Sequence, residues 1–97
     1  MKVYLVAEVY CYSDEAMDKR FEVFSDKDSA IAYMNEVRET KILDLIDYND
    51  YEDENELWSC YEQTFNYETS WGYLSPDCTT EYELEIYELD LLQWKEN

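Results

Sequence analysis

One stretch of this chain, SDKDSAIAYMNEVRETKILDLIDY from Ser25 to Tyr48, carries a helical apolar stripe, while the apolar residues elsewhere mostly alternate. That contrast limits the fold more than any other feature, because a single long helix has to cover everything that reads as strand. Ser25 is read as the N-cap, with Asp28 three residues on as a carboxylate version of a capping box and Asp26 in the first turn. Ala30, Ile31, Met34 and Val37 recur at helical spacing. Ile42, Leu45 and Ile46 continue the stripe after a change of phase near Lys41, which is read as a bend or a rotated last turn. A helix of about 22 residues is roughly 33 Å long, enough to cross a small sheet.

Before the helix, residues 2–12 alternate, with Val3, Leu5, Ala7, Val9 and Cys11 on one side and Tyr4, Val6, Glu8, Tyr10 and Tyr12 on the other. The spacing predicts a strand. Its small apolar side is expected under the helix and its tyrosine-rich side is expected open, as a binding surface. Residues 13–18 read as a polar loop and residues 20–24 as a second strand, with Phe21 and Val23 on one side. After the helix, residues 57–67 fit either a helical face or a strand, and their aromatic and threonine content favours the strand. Gly72 and Pro76, the only residues of their types, predict a turn within 68–77. The final strand spans 79–90, with Tyr82, Leu84 and Ile86 facing one way and Glu81, Glu83 and Glu85 the other. An apparent phase flip at Tyr87 is read as a bulge or the strand's end. The expected fold is α+β: one domain over residues 1–97, in the order ββαββ, a mainly antiparallel sheet with one long helix across one face.

The net charge is −18, yet 46 % of the residues are hydrophobic and 18 % aromatic, which argues for a folded core rather than disorder. The charge is unevenly placed: residues 1–48 carry a net −5 and residues 49–97 a net −13. Such a field repels nucleic acid and anionic membranes and attracts basic surfaces, so no direct nucleic-acid binding is expected. No stretch approaches the ~20 apolar residues of a membrane span. The start, MKVYLVAEVYCY, carries Glu8 early and lacks a small-residue cleavage site, so it reads as a strand and not a signal peptide. Histidine is absent and Cys11, Cys60 and Cys78 are widely spaced, without a C-x-x-C pair. The expectation is a cytoplasmic protein with buried thiols, one disulfide being the alternative.

No catalytic site, metal or cofactor is expected. The acidic run 47–56 invites comparison with a calcium-binding loop. Counted from Asp47, however, the sixth position is Glu52 and the twelfth Trp58, where an EF-hand needs glycine and a bidentate glutamate, so the run is read as a solvated acidic loop. Acid–base catalysis needs two carboxyls in different environments, and 25 acids in 97 residues make mere proximity uninformative. A cysteine in an acidic field without histidine is a poor thiolate.

The more informative constellation is Glu81, Glu83 and Glu85, followed by Glu88 and Asp90. Alternate residues of a strand project from one face about 6.6–6.8 Å apart, and each strand of a duplex bears one charge per ~3.4 Å. With Asp50, Glu52, Asp53, Glu54 and Glu56 in support, the row offers a basic protein a fixed imitation of phosphates. The same alternation also suits the wet side of an edge strand, protected against aggregation. A short, glycine-poor, acidic, tyrosine-rich domain that begins MKVYLVAEVY and carries EYELEIYELDL near its end resembles small proteins of phages and mobile elements, among them anti-CRISPR proteins and other DNA mimics that block host nucleases. The resemblance is one of composition and layout across the whole chain. It implies a partner class, a basic nucleic-acid-binding protein such as a nuclease or defence effector.

Two functions follow. One is a non-enzymatic inhibitor that occludes a cationic nucleic-acid groove through Asp50, Glu52, Asp53, Glu54, Glu56, Glu81, Glu83, Glu85 and Glu88. The other is a small adaptor or regulator that binds a partner, or itself as a homodimer, through the tyrosine face of Tyr10 and Tyr12.

Overall fold

The computed structural model describes residues 1–12 and 17–90. Along the chain these form β1 (Lys2–Tyr12), β2 (Met17–Phe24), α1 (Lys27–Asn49), α2 (Glu54–Cys60), β3 (Glu62–Tyr67), β4 (Ser70–Leu74) and β5 (Thr80–Asp90). The strands make one five-stranded antiparallel sheet in the order β2-β1-β5-β4-β3. The class is α+β, as the patterning implies. The order is ββααβββ rather than ββαββ, and two helices, not one, form the cover.

α1 starts one residue later than the Ser25 cap predicts. Asp26 is the N-cap, in extended backbone, and its carboxylate accepts both the backbone N–H of Ser29 and the Ser29 hydroxyl, each at 2.8 Å. Those two donors hold the Asp26 carboxyl below the usual carboxylate range. A carboxyl depressed in the folded state adds stability that is present above its unfolded pKa, about 3.9, and lost as pH falls through the folded value. Asp26→Ala should therefore lower the melting temperature at pH 7, while Asp26→Asn, which keeps an acceptor, should retain most of it. The gap between wild type and Asp26→Ala should close below about pH 4. Thermal denaturation followed by circular dichroism at the two pH values checks this.

α1 then runs unbroken to Asn49. The change of apolar phase at Lys41 reflects what that side chain does: its ammonium reaches the hydroxyl of Tyr10 and lies 4.8 Å from the Tyr10 ring centre and 5.2 Å from that of Tyr82. A lysine thus takes an apolar position, with its stem along the helix–sheet seam. Asp50 ends the helix in left-handed backbone (φ 58°), and the N–H of Tyr51 closes on the Ile46 carbonyl at 2.9 Å.

The acidic run predicted as a loop, and the segment 57–67 predicted as one strand, divide differently. Asp53 accepts the Glu56 N–H at 3.0 Å and Glu56 accepts the Glu52 N–H at 2.6 Å, a reciprocal cap that starts α2. Leu57 and Trp58 therefore pack as helix, while Glu62–Tyr67 form β3. Gly72 lies within β4, not in a turn. The β3–β4 turn is Glu68-Thr69, and the β4–β5 turn runs from Ser75 to Thr79, with Cys78 at φ 60°. There Asp77 accepts from the hydroxyls of Ser75 and Thr79, at 2.8 and 2.7 Å.

The core lies between the helices and one sheet face. Val6, Ala30, Met34, Leu57, Trp71, Tyr82 and Leu84 are almost wholly buried there. Its aromatic rings interlock: Tyr73 and Tyr82 stack at 5.2 Å, and Trp71 meets Trp58, Tyr73 and Tyr82 at 5.8–6.1 Å. Three polar tips at the core have partners. Tyr82 donates to Glu8 at 2.7 Å, Trp71 to Gln63 at 2.7 Å, and Asn49 donates to the Tyr61 hydroxyl at 3.2 Å.

This packing reverses the expected sides of β1. Tyr4, Val6 and Tyr10 belong to the helix-covered side, together with Tyr82, Leu84 and Ile86, and the set Val3, Leu5, Ala7, Val9 and Cys11 faces away. Nor does β5 change phase at Tyr87. Its pairing with β1 is continuous from Thr80 opposite Tyr12 to Asp90 opposite Lys2, so Tyr87 and Leu89 share the face of Glu81, Glu83 and Glu85.

Candidate functional site

Parity and register together build a sheet face that no described helix covers. β5 is the middle strand of five, so its glutamate row is not edge protection. Opposite residues in antiparallel strands point to the same side. Glu81 is flanked by Cys11 and Leu74, Glu83 by Val9 and Gly72, and Glu85 by Ala7 and Ser70. The neighbours at Glu83 and Glu85 are small, so the carboxylates stand above them. Glu81 is exposed, and Glu83 and Glu85 are half-buried. From Glu81 to Glu85 the row spans about 13 Å. On the same face, burial together with the neighbouring Glu85 and Glu83 raises the Tyr87 pKa, a sign of the negative potential above β5.

The other acids singled out from the sequence lie elsewhere. Glu88 is on the helix-covered side, 2.9 Å from the Lys2 ammonium, which holds its pKa down. Asp50, Glu52, Asp53, Glu54 and Glu56 surround the α1–α2 junction in the helix layer, on the opposite side of the sheet from Glu81, Glu83 and Glu85. All five are exposed. Asp50, Asp53 and Glu56 shape helix ends, and Glu54 accepts the indole N–H of Trp58 at 3.0 Å. These acids therefore lie in separate regions and not in one continuous row.

Tyr10 and Tyr12 do not form an open face. Tyr10 is half-buried under α1, against Lys41 and Tyr82, and Tyr12 stacks parallel to it at 6.0 Å at the rim. The thiols are also not buried as expected: Cys11 is half-buried, Cys60 and Cys78 are exposed, and all three are free. Among the described residues no group of three or more His, Cys, Asp or Glu side chains is placed to hold a metal ion, and no helix is long and apolar enough to cross a membrane.

Sequence reasoning missed the apolar part of the open face. Met17, Phe21 and Val23 of β2, Phe65 and Tyr67 of β3, and Tyr87 and Leu89 of β5 are 42–67 % exposed, and all seven point to that side. The signal was present in the odd-numbered alternation of β1. Small apolar residues suggest a seam, which points that alternation to the buried side. No protein-family model, curated protein or solved structure matches this chain.

Proposed function

We propose that this protein is a non-enzymatic inhibitor that binds a basic, nucleic-acid-handling protein and occludes its cationic groove. The observation that carries the reading is the row Glu81, Glu83 and Glu85 on the central strand of a sheet face that no described helix covers, in a chain of net charge −18. Three carboxylates at the centre of a sheet bring no edge protection and repel one another. A partner's lysines and arginines would relieve that repulsion, as they do that of a phosphate backbone. The acids at the α1–α2 junction add to the long-range field that draws in such a partner.

Replacing Glu81, Glu83 and Glu85 together by glutamine tests this, because size and polarity stay while three charges leave one face. Affinity capture at low salt supplies the partner. Binding by the triple variant should weaken by about tenfold or more, with a shallower salt dependence, and duplex DNA or RNA should compete with the wild type for the target. Unchanged capture by the triple variant at low and high salt contradicts the reading.

A further inference from the structure

We infer that the sheet face left open by the described helices docks a protein surface carrying an apolar projection beside its cation cluster, so that the partner is held by an apolar anchor as well as by charge. The inference rests on the reading above that the partner is basic, and adds what holds it and where. Along β5 the face changes character: Glu81, Glu83 and Glu85 occupy one half, Tyr87 and Leu89 the other. The change continues towards β2, since Leu5 and Val23 lie in the same cross-strand row as Tyr87, whereas on the β3 side the exposed rings of Phe65 and Tyr67 lie in the rows of Glu83 and Glu85 and add apolar surface beside the acids. Phe21 beside Ala7 forms the boundary with Glu85. Phe21 and Val23 are 56 % and 61 % exposed, on an edge strand where α1 gives them no cover. Contiguous apolar surface of this kind marks an interaction site, and desolvated aromatic and aliphatic anchors dominate interface energetics.

Charge complementarity selects the occupant. Among the described residues of this face, Lys19 is the single cation, against Glu62, Glu81, Glu83 and Glu85. Two copies packed face to face would bring like charges together in a low-dielectric interface. A basic protein with an apolar knob meets both halves.

The distance from Glu81 to Leu89 is about 27 Å, matched by a helical peptide of about 18 residues. The probe is such a peptide with a lysine-rich half and a leucine-rich half, compared with an oligolysine of equal charge, and with binding mapped on backbone amides by NMR. The bipartite peptide should bind more tightly than oligolysine and perturb Leu5, Phe21, Val23, Glu83 and Tyr87. Phe21→Ser with Val23→Ser, both exposed and so compatible with folding, should weaken it at least about fivefold. Equal binding of oligolysine, perturbation confined to residues 50–56, or no effect of the serine variant overturns the inference. If the serine variant binds normally while the glutamine triple variant does not, the inhibitor reading stands and only the apolar anchor is lost. If the triple variant still captures the basic target unchanged, the function itself fails. A dimer in sedimentation velocity that Phe21→Ser disperses, or NOEs joining Trp94 to Phe21 in the peptide-free protein, would give the face to a second copy or to the chain's own last residues, and overturn the inference.

Discussion

Met34→Asp is expected to abolish cooperative unfolding. The side chain is 0 % exposed and sits in the cluster that joins α1 to Val6, Leu57, Trp71, Tyr82 and Leu84. The substitution removes buried hydrophobic contacts at the centre of the seam between the helices and the sheet, and it also puts a carboxylate where water cannot reach. An unpaired buried charge costs several kcal/mol, against the ~5–10 kcal/mol that holds a domain of this kind together. Glu36→Ala, two residues along and exposed, should change stability by no more than about 0.5 kcal/mol. Urea titrations of the two variants decide it. Comparable midpoints for both would mean that α1 presents a different face to the sheet.

Gly72→Ala is the second large effect, and local propensity predicts its sign wrongly. Glycine within a strand costs roughly 0.5–1 kcal/mol relative to alanine, so alanine should help if only β4 mattered. A Cβ at this position, however, would lie 2.6 Å from the Tyr82 carbonyl oxygen and 2.9 Å from the Thr64 hydroxyl oxygen. The first is main chain of the central strand and cannot yield without moving β5. The second belongs to the bulge where β3 shifts register between Gln63 and Phe65, and it is buried without a hydrogen-bond partner. Overpacking of this kind costs about 1–3 kcal/mol, equivalent to a fall in melting temperature of about 5–20 °C. Thr64→Ala in the same chain removes the 2.9 Å contact but leaves the 2.6 Å one, so rescue should be partial. A melting temperature that holds or rises in Gly72→Ala would show that β4 can move away from β5.

Gly72 also shows how a local signal misleads. Glycine usually marks a turn because it tolerates positive φ. In this chain the two positive-φ positions among the described residues are Asp50 and Cys78, and Gly72 is fixed by the close approach of a neighbouring strand. That approach comes from a residue ten positions away in the chain, which no window around Gly72 contains. The acidic run 47–56 misled differently. Its carboxylates suggested a solvated loop, whereas Asp53 and Glu56 are the capping signal of α2, three residues apart as caps require. That signal was legible, but the charge of the whole run obscured it.

The sequence by itself determined what depends on neighbours along the chain. The apolar spacing of Ala30, Met34 and Val37 set the long helix. The alternation of residues 2–12 and 79–90 set two long strands, and the balance of 25 acids against seven bases set the sign of the protein's own field. It also placed Glu81, Glu83 and Glu85 on one side of their strand. Which side of the sheet that would be, and what would stand beside them, only the tertiary structure decided. A strand's period is two, so both sides of β1 are consistent with its alternation, and a one-residue change of pairing exchanges them. The register of Val6 opposite Ile86 and Tyr10 opposite Tyr82 ties the tyrosines of β1 to the aromatic core under α1. Leu5, Phe21, Val23 and Tyr87 are thereby left beside the glutamates, because the bulky rings fill the space between sheet and helices that the smaller odd-numbered side chains would leave empty.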